Sequence, residues 1–218
     1  MSCNEEQRQG AIMHIFIKNF YICSVKKTAM RHPKVLFTIL LSLVLSTGWG
    51  QQLSKTFTWN GFKMNYPSNY IITDKEYDPE VGYSFVCEID DDESLSMITV
   101  VFDDLGEFID ESTTAVKQEG CIEGLEEGLS AMREALSNST FKSTPIMKNT
   151  SLSYPNAYCD FSYTIYGIQV QGKGVMYFKG KYLIMYFIQA ENSTYIKELE
   201  SIAKTIQINK GLEKIHLN

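Results

Sequence analysis

Residues 183–188 run apolar without a break, rich in aromatic and β-branched side chains, between Gly180 and the polar Glu191, Asn192 and Ser193. A run this short suits a strand buried on both faces better than a helix. Residues 181–190 are therefore expected to form the central strand of a sheet that needs a cover on each side. Lys181 and Gln189 are the clearly polar members of this strand and both sit at its ends, which casts it as scaffold and directs the search for function to helix faces and loops.

Alternation marks the other strands. Phe57, Trp59, Phe62, Met64 and Tyr66 alternate with polar positions around Asn60-Gly61, a dipeptide suited to a type I′ hairpin because both turn residues need positive φ. Residues 70–72 are expected to be extended, and 73–82, charged and containing Pro79, to be a loop. Tyr83, Phe85, Cys87 and Ile89 share one face of a strand, the acidic residues 90–94 turn the chain, and 95–102 return. Further on, 157–165, 168–178 and the central strand form an antiparallel meander with turns at Gly167 and at Lys179-Gly180. Gly172 and Gly174 lie inside its middle strand, which points to a bulge or a close neighbour.

Two stretches change to a helical period. From about Ser112, a candidate cap, to Leu136, an apolar stripe is formed by Ile122, Leu125, Leu129, Met132 and Leu136. Gly120, Gly124 and Gly128 form a smooth face beside it. Each glycine costs a helix about 1 kcal/mol relative to alanine, so the repeat needs a reason. Close approach to the sheet is one, and docking of a partner or a second copy is the other. The last helix spans about 193–206, capped by Ser193 or Asn192, with Ile196, Leu199, Ile202, Ala203 and Ile206 inward.

The first quarter follows neither pattern. Met30, Arg31, His32, Pro33 and Lys34 precede an apolar run over 35–45 and then Gly48-Trp49-Gly50, the arrangement of a secretory signal peptide with cleavage near Gly50. The run is short for a membrane span, and an uncleaved anchor is the alternative. The expected organisation is an extended or non-native segment over 1–29 with Met30 as the start, a signal peptide over 30–50, one domain over 51–208, and a polar tail over 209–218. The mature protein is expected in a periplasm or outside the cell.

Charge narrows the partners. Of 20 basic and 26 acidic residues, six basic and two acidic lie in 1–50, leaving 14 and 24 and a net charge of −10 over 51–218. Arg133 is the one arginine after residue 50. Without a basic footprint, nucleic acid and anionic membrane surfaces are not expected partners, and membrane contact is expected only through an uncleaved signal segment.

Candidate chemistry is sparse. After residue 50 the one histidine is His216, so triads and histidine-ligated metal sites are not expected. The acidic turn lacks the spacing, glycine and distant glutamate of a calcium loop. No catalytic residue, metal ligand or cofactor is assigned, and Asp160 falls on the polar face of its strand. Cys87, Cys121 and Cys159 remain; Cys87 and Cys159 are read as buried small hydrophobes, with a Cys87–Cys159 disulfide as the alternative. Tyr158, Tyr166 and Tyr177 share the less apolar faces of the meander, as a binding surface or as packing under the last helix.

The order of elements resembles the PsbP-like family of α/β/α sandwiches, which includes the bacterial DcrB-like proteins. The resemblance rests on the segment from Phe62 through Lys63, Met64, Asn65 and Tyr66 to Pro67, the strand pair ending at Phe102, the long helix, the meander with Gly167 and Gly180, and the strand and helix with the Ile-rich end over 181–208. It implies an α+β fold, a central mostly antiparallel sheet sandwiched by helices, and a binding or accessory role, with no functional residue carried over. The leading expectation is an exported, non-enzymatic protein that binds a protein or envelope component. The alternative is a small-ligand module with a pocket between sheet and helix, and a carboxylate-based hydrolase stands third. A homodimer through Gly120, Gly124 and Gly128 is a separate expectation.

Overall fold

The computed structural model describes residues 52–79, 82–91, 94–106, 109, 112–136 and 140–208. The segment 1–29, the signal-like run 30–50 and the tail 209–218 lie outside them. The strands are β1 (Lys55–Trp59), β2 (Phe62–Tyr66), β3 (Tyr70–Asp78), β4 (Gly82–Ile89), β5 (Met97–Asp104), β6 (Lys142–Ser143), β7 (Asn156–Ile165), β8 (Ile168–Lys179), β9 (Tyr182–Ala190) and β10 (Gln207–Ile208). The helices among the described residues are α1 (Thr114–Ala135), between β5 and β6, and α2 (Ser193–Ala203), between β9 and β10.

Seven strands form one antiparallel sheet in the order β3-β4-β5-β9-β8-β7-β6, with β9 in the middle. Its alternation divides two cores. Leu183, Met185 and Phe187 face α1, joining Leu125, Leu129 and Met132. Ile184, Ile188 and Ala190 face the other way, toward Leu199 and Ile202 of α2 and Phe62 and Met64 of β2. The fold is α+β, and the strand is buried on both faces for the reason its sequence suggests: each face has its own cover.

Helix α1 lies on β7 and β8 with its glycines inward. A Cβ on Gly124 would sit 2.7 Å from Sδ and Cε of Met176, and one on Gly128 would sit 2.9 Å from Cζ of Phe187; Gly120 faces Phe178 at 3.8 Å. The glycine stripe thus belongs to the buried face together with Cys121, Leu125 and Met132, while Ile122 is turned outward. This corrects two expectations. Ile122 is not in the buried stripe, and Gly120, Gly124 and Gly128 pack against the chain's own sheet instead of offering a docking face for a partner or second copy. The cap is Thr113, which accepts from the Val116 N–H, instead of Ser112.

The hairpin at Asn60-Gly61 forms as expected, with φ of 45° and 80° and Trp59 opposite Phe62. It stands outside the main sheet. Residues β1, β2 and β10 make a small second sheet that, with α2, covers the second face; the Asn65 N–H donates to Thr205 Oγ1 at 2.8 Å and ties it to the end of α2. Residues 73–78 are strand and not loop. They extend edge strand β3, whose register shifts between Thr73 and Glu76, with Asp74 at φ 47°. Charge there reflects an edge position, where a bulge and charged side chains discourage pairing with other chains.

The described cysteines, Cys87, Cys121 and Cys159, are free and buried. Cys87 belongs to the core beneath α2 and Cys159 to the core beneath α1, so the sheet itself separates them and the Cys87–Cys159 disulfide does not form. Gly172 and Gly174 sit in unbroken register without a bulge, and rings of Phe161 and Phe187 occupy the space their side chains would need.

Candidate functional site

Helix α2 crosses the sheet over β9 and leaves the adjacent face of β7 and β8 partly open. The register sets a row of side chains across that face: Tyr158 is opposite Val175, and Val175 is opposite Tyr186. The next row carries Tyr177 beside Asn156. On one side the wall is α2 and its exit, with Glu200, Ala203, Lys204 and Ile206; on the other it is the segment 149–154. The result is a half-open groove of about 630 Å³, within the usual range for a ligand cleft.

The far wall is held from behind by one buried side chain. Asn156 Nδ2 donates to the carbonyls of Tyr154 (2.8 Å) and Asn149 (3.2 Å), and its Oδ1 accepts from the Asn149 N–H at 2.8 Å. Gln118 of α1 donates to the Asn156 carbonyl at 2.7 Å, so helix, strand and segment are joined. Tyr154 is thereby held against Tyr177, ring centroids 5.4 Å apart. This wall is positioned before any ligand arrives, which lowers the ordering cost of binding.

The groove is aromatic, and its charged lining residues are Lys173, Lys204 and Glu200. Its phenols, on Tyr154, Tyr158, Tyr177 and Tyr186, make no hydrogen bond within the described residues. Burial first, then Tyr154 and Glu200, pushes Tyr186 up to about 12, and burial raises Tyr177 further, so both stay neutral at ordinary pH. Lys173 of β8 pairs with Glu200 of α2 across the rim. Among the described residues Glu200 is the one carboxylate lining the groove, and it is committed to that pair.

Beyond Lys173 the same face continues into a shallower depression of about 410 Å³, where Lys142, Asp160, Ser162, Gln169 and Gln171 stand beside Phe161 and Ile196 of α2. Lys173 borders both, so the two lie end to end as a track along the sheet with Lys173 between them.

Of the residues singled out in the sequence, Tyr158 and Tyr177 meet in the groove. Tyr166 does not: it occupies the turn between β7 and β8 at φ 52° and is 67% exposed, outside the lining. Asp160 is exposed at the edge of the depression, as its alternation suggested. Tyr154, Tyr186, Lys173 and Glu200 were not anticipated. Tyr186 was the most accessible of these to sequence reasoning, since it shares the even-numbered face of the central strand with Ile184 and Ile188; only the offset of α2 leaves it half open.

No family model matches the chain. No curated protein matches it either. Among solved structures it is similar to cyanobacterial PsbP (CyanoP) from Synechocystis sp. PCC 6803, 12% identical, over 77% of this chain and 99% of that one, with a TM-score of 0.48. It is also similar to a protein from Bacteroides thetaiotaomicron VPI-5482, 17% identical with a TM-score of 0.45, over 74% of this chain and about half (51%) of that one. A third, the protein of unknown function PA94 from Pseudomonas aeruginosa, is 10% identical over 69% of this chain and 90% of that one, with a TM-score of 0.31. None of the three bears the DcrB-like description.

Proposed function

We propose that this is an exported, non-enzymatic binding protein and that the tyrosine-lined groove between α2 and the segment 149–154 is its site. The observation that carries this is the concavity itself: an aromatic hollow between sheet and helix, with unused phenols and a wall braced by Asn156. A solid core there would have removed the small-ligand alternative. The groove instead favours it over a broad protein surface, and a small envelope component that enters the hollow satisfies both.

Two features support a binding role without chemistry. Acid–base hydrolysis between carboxylates needs two of them facing the reacting bond, and this groove holds Glu200 alone, paired with Lys173. No described residue is a histidine. Export rests on the run over 35–45 and the small residues before Gly50, and amino-terminal sequencing of the protein recovered outside the cytoplasm tests it: a start near Gln51 is expected, and an intact Met30 or earlier start contradicts cleavage.

The groove is tested by filling it. Val175 lies at the centre of the floor, half-buried, and Val175→Trp places an indole in the hollow. Compounds from a mixed small-molecule set that raise the melting temperature of the native chain should lose that effect in the variant, while its unliganded melting temperature stays near the native value. Stabilisers that act equally on both proteins would place the site elsewhere.

A further inference from the structure

We propose that the groove and its polar extension together take a neutral oligosaccharide chain, laid along the sheet with sugar rings against the tyrosines and hydroxyls on the side chains beyond Lys173. This deepens the groove reading and rests on it.

The floor decides against the other elongated ligand, an extended peptide. A peptide bound along a sheet relies on main-chain pairing at an open edge. Here the strands under the groove are paired on both sides, β8 by β7 and β9, and β9 by β5 and β8. The outer edge of β7 is covered too: Lys142 and Ser143 pair with it, the Thr144 N–H donates to the Asp160 carbonyl at 2.9 Å, and Met147 and Tyr158 exchange hydrogen bonds of 2.8 Å. A peptide in the groove would leave its amides without main-chain partners, at a cost for each buried one. An oligosaccharide carries no such amide backbone.

What the track offers is side chains of two kinds, in order. First come tyrosine faces, flat and apolar with a polar rim, suited to a ligand with apolar faces and hydrogen-bonding edges. Then come Ser162, Gln169 and Gln171, whose side chains make no hydrogen bond to another described residue. Amides and hydroxyls that both donate and accept match sugar hydroxyls, which do the same. Charge selects an anion only weakly: Lys173 is paired with Glu200, and of the remaining cations along the track, Lys142 and Lys204, one is offset by Asp160. A purely apolar ligand is disfavoured as well, because it would strip water from the unused phenols without replacing the hydrogen bond.

The test uses calorimetry on the full chain with neutral hexasaccharides of glucose, N-acetylglucosamine and mannose, and a hexasaccharide of glucuronic acid as the charged counterpart. At least one neutral probe should bind with a Kd below about 1 mM and little dependence on salt. Tyr158→Ala should weaken that binding about tenfold or more, near 1.4 kcal/mol. Gln171→Ala, at an exposed position that leaves folding intact, should weaken it severalfold. The proposal is overturned if no neutral probe binds, if only the charged probe binds and salt abolishes it, or if both variants bind like the native chain. If neutral sugars fail while other compounds stabilise the native chain and not Val175→Trp, the saccharide assignment falls and the groove remains the binding site.

Discussion

Replacing Gly172 by alanine tests how tightly the two core layers are set. The new Cβ would lie 2.2 Å from Cζ of Phe161, 2.5 Å from its Cε2 and 2.6 Å from the Ile188 carbonyl oxygen. Carbon atoms in contact normally stand about 3.5–4.0 Å apart, so more than 1 Å must be found on the Phe161 side, and the Ile188 carbonyl must give as well. Neither neighbour yields easily. The Ile188 carbonyl belongs to the β8–β9 ladder, in which Lys173 is opposite Ile188. The Phe161 ring is stacked on Phe141 at 5.9 Å and Tyr163 at 6.4 Å and packed against Phe187 at 6.1 Å. Overpacking of this kind costs about 1–3 kcal/mol, and relief of glycine's chain entropy in a strand returns about 0.5–1 kcal/mol. Overlaps this deep place the cost at the upper end of that range, so a net loss of about 2 kcal/mol follows, or a fall of roughly 4–8 °C in Tm for a domain of this size. Gly124→Ala is the internal comparison. Its Cβ meets the flexible end of Met176, and the helix gains about 1 kcal/mol from losing a glycine, so its stability should stay within about 1 kcal/mol of native. Urea and thermal unfolding of both variants beside the native protein give the answer. A Gly172→Ala protein as stable as native, or less affected than Gly124→Ala, would refute the packing argument.

Asn156→Ala should release the segment 149–154, lowering stability by about 2–3 kcal/mol for three lost hydrogen bonds and speeding amide exchange at Asn149, whose N–H it holds; unchanged exchange there would count against the bracing role. Glu191 accepts from Ser94 Oγ, the Leu95 N–H and Ser96 Oγ, so Glu191→Ala should cost about 2–4 kcal/mol in urea unfolding, and a neutral result would contradict it. The thiols of Cys87, Cys121 and Cys159 should resist alkylation in the native state. Burial pushes Cys87 and Cys121 up to about 12 and Cys159 to about 11, from an ordinary 9.0. Because these folded values are raised, the stability they contribute is present in full below pH 9 and is lost as pH rises from 9 toward 11–12, by at most about 1.4 kcal/mol per unit for each thiol. Stability that holds flat through that window would show the thiols to be exposed.

The sheet was largely readable along the chain because burial imposes its period directly. Residues 183–188 are apolar on every position because β9 is covered twice, and Asn60-Gly61 turns the first hairpin because both residues must adopt positive φ. Errors arose where a local signal has two physical causes. The charges over 73–78 read as loop, yet an edge strand carries charges for its own reason. The glycines of α1 had two explanations until Met176 and Phe187 were found against them. Cys87 and Cys159 both alternate inward, but inward has two senses in a sheet with two cores, which alternation within a single strand does not distinguish. The groove was the least legible feature. Tyr158 and Tyr177 marked one side of it, whereas Tyr154, Tyr186 and Glu200 reach it from a loop, the central strand and a helix. What gathers them is the placement of α2 over β9 instead of β8, a property of packing between elements.

The central claim is that this groove is where the protein binds. The most direct measurement is amide chemical-shift mapping of the isotope-labelled chain as a neutral hexasaccharide that binds by calorimetry is added. The account predicts that Tyr158, Val175, Tyr186 and Lys204, which line one hollow from β7, β8, β9 and the end of α2, shift together with a common Kd. Shifts confined to the exposed face of α1 or to the small sheet of β1, β2 and β10, with these four unmoved, would contradict it.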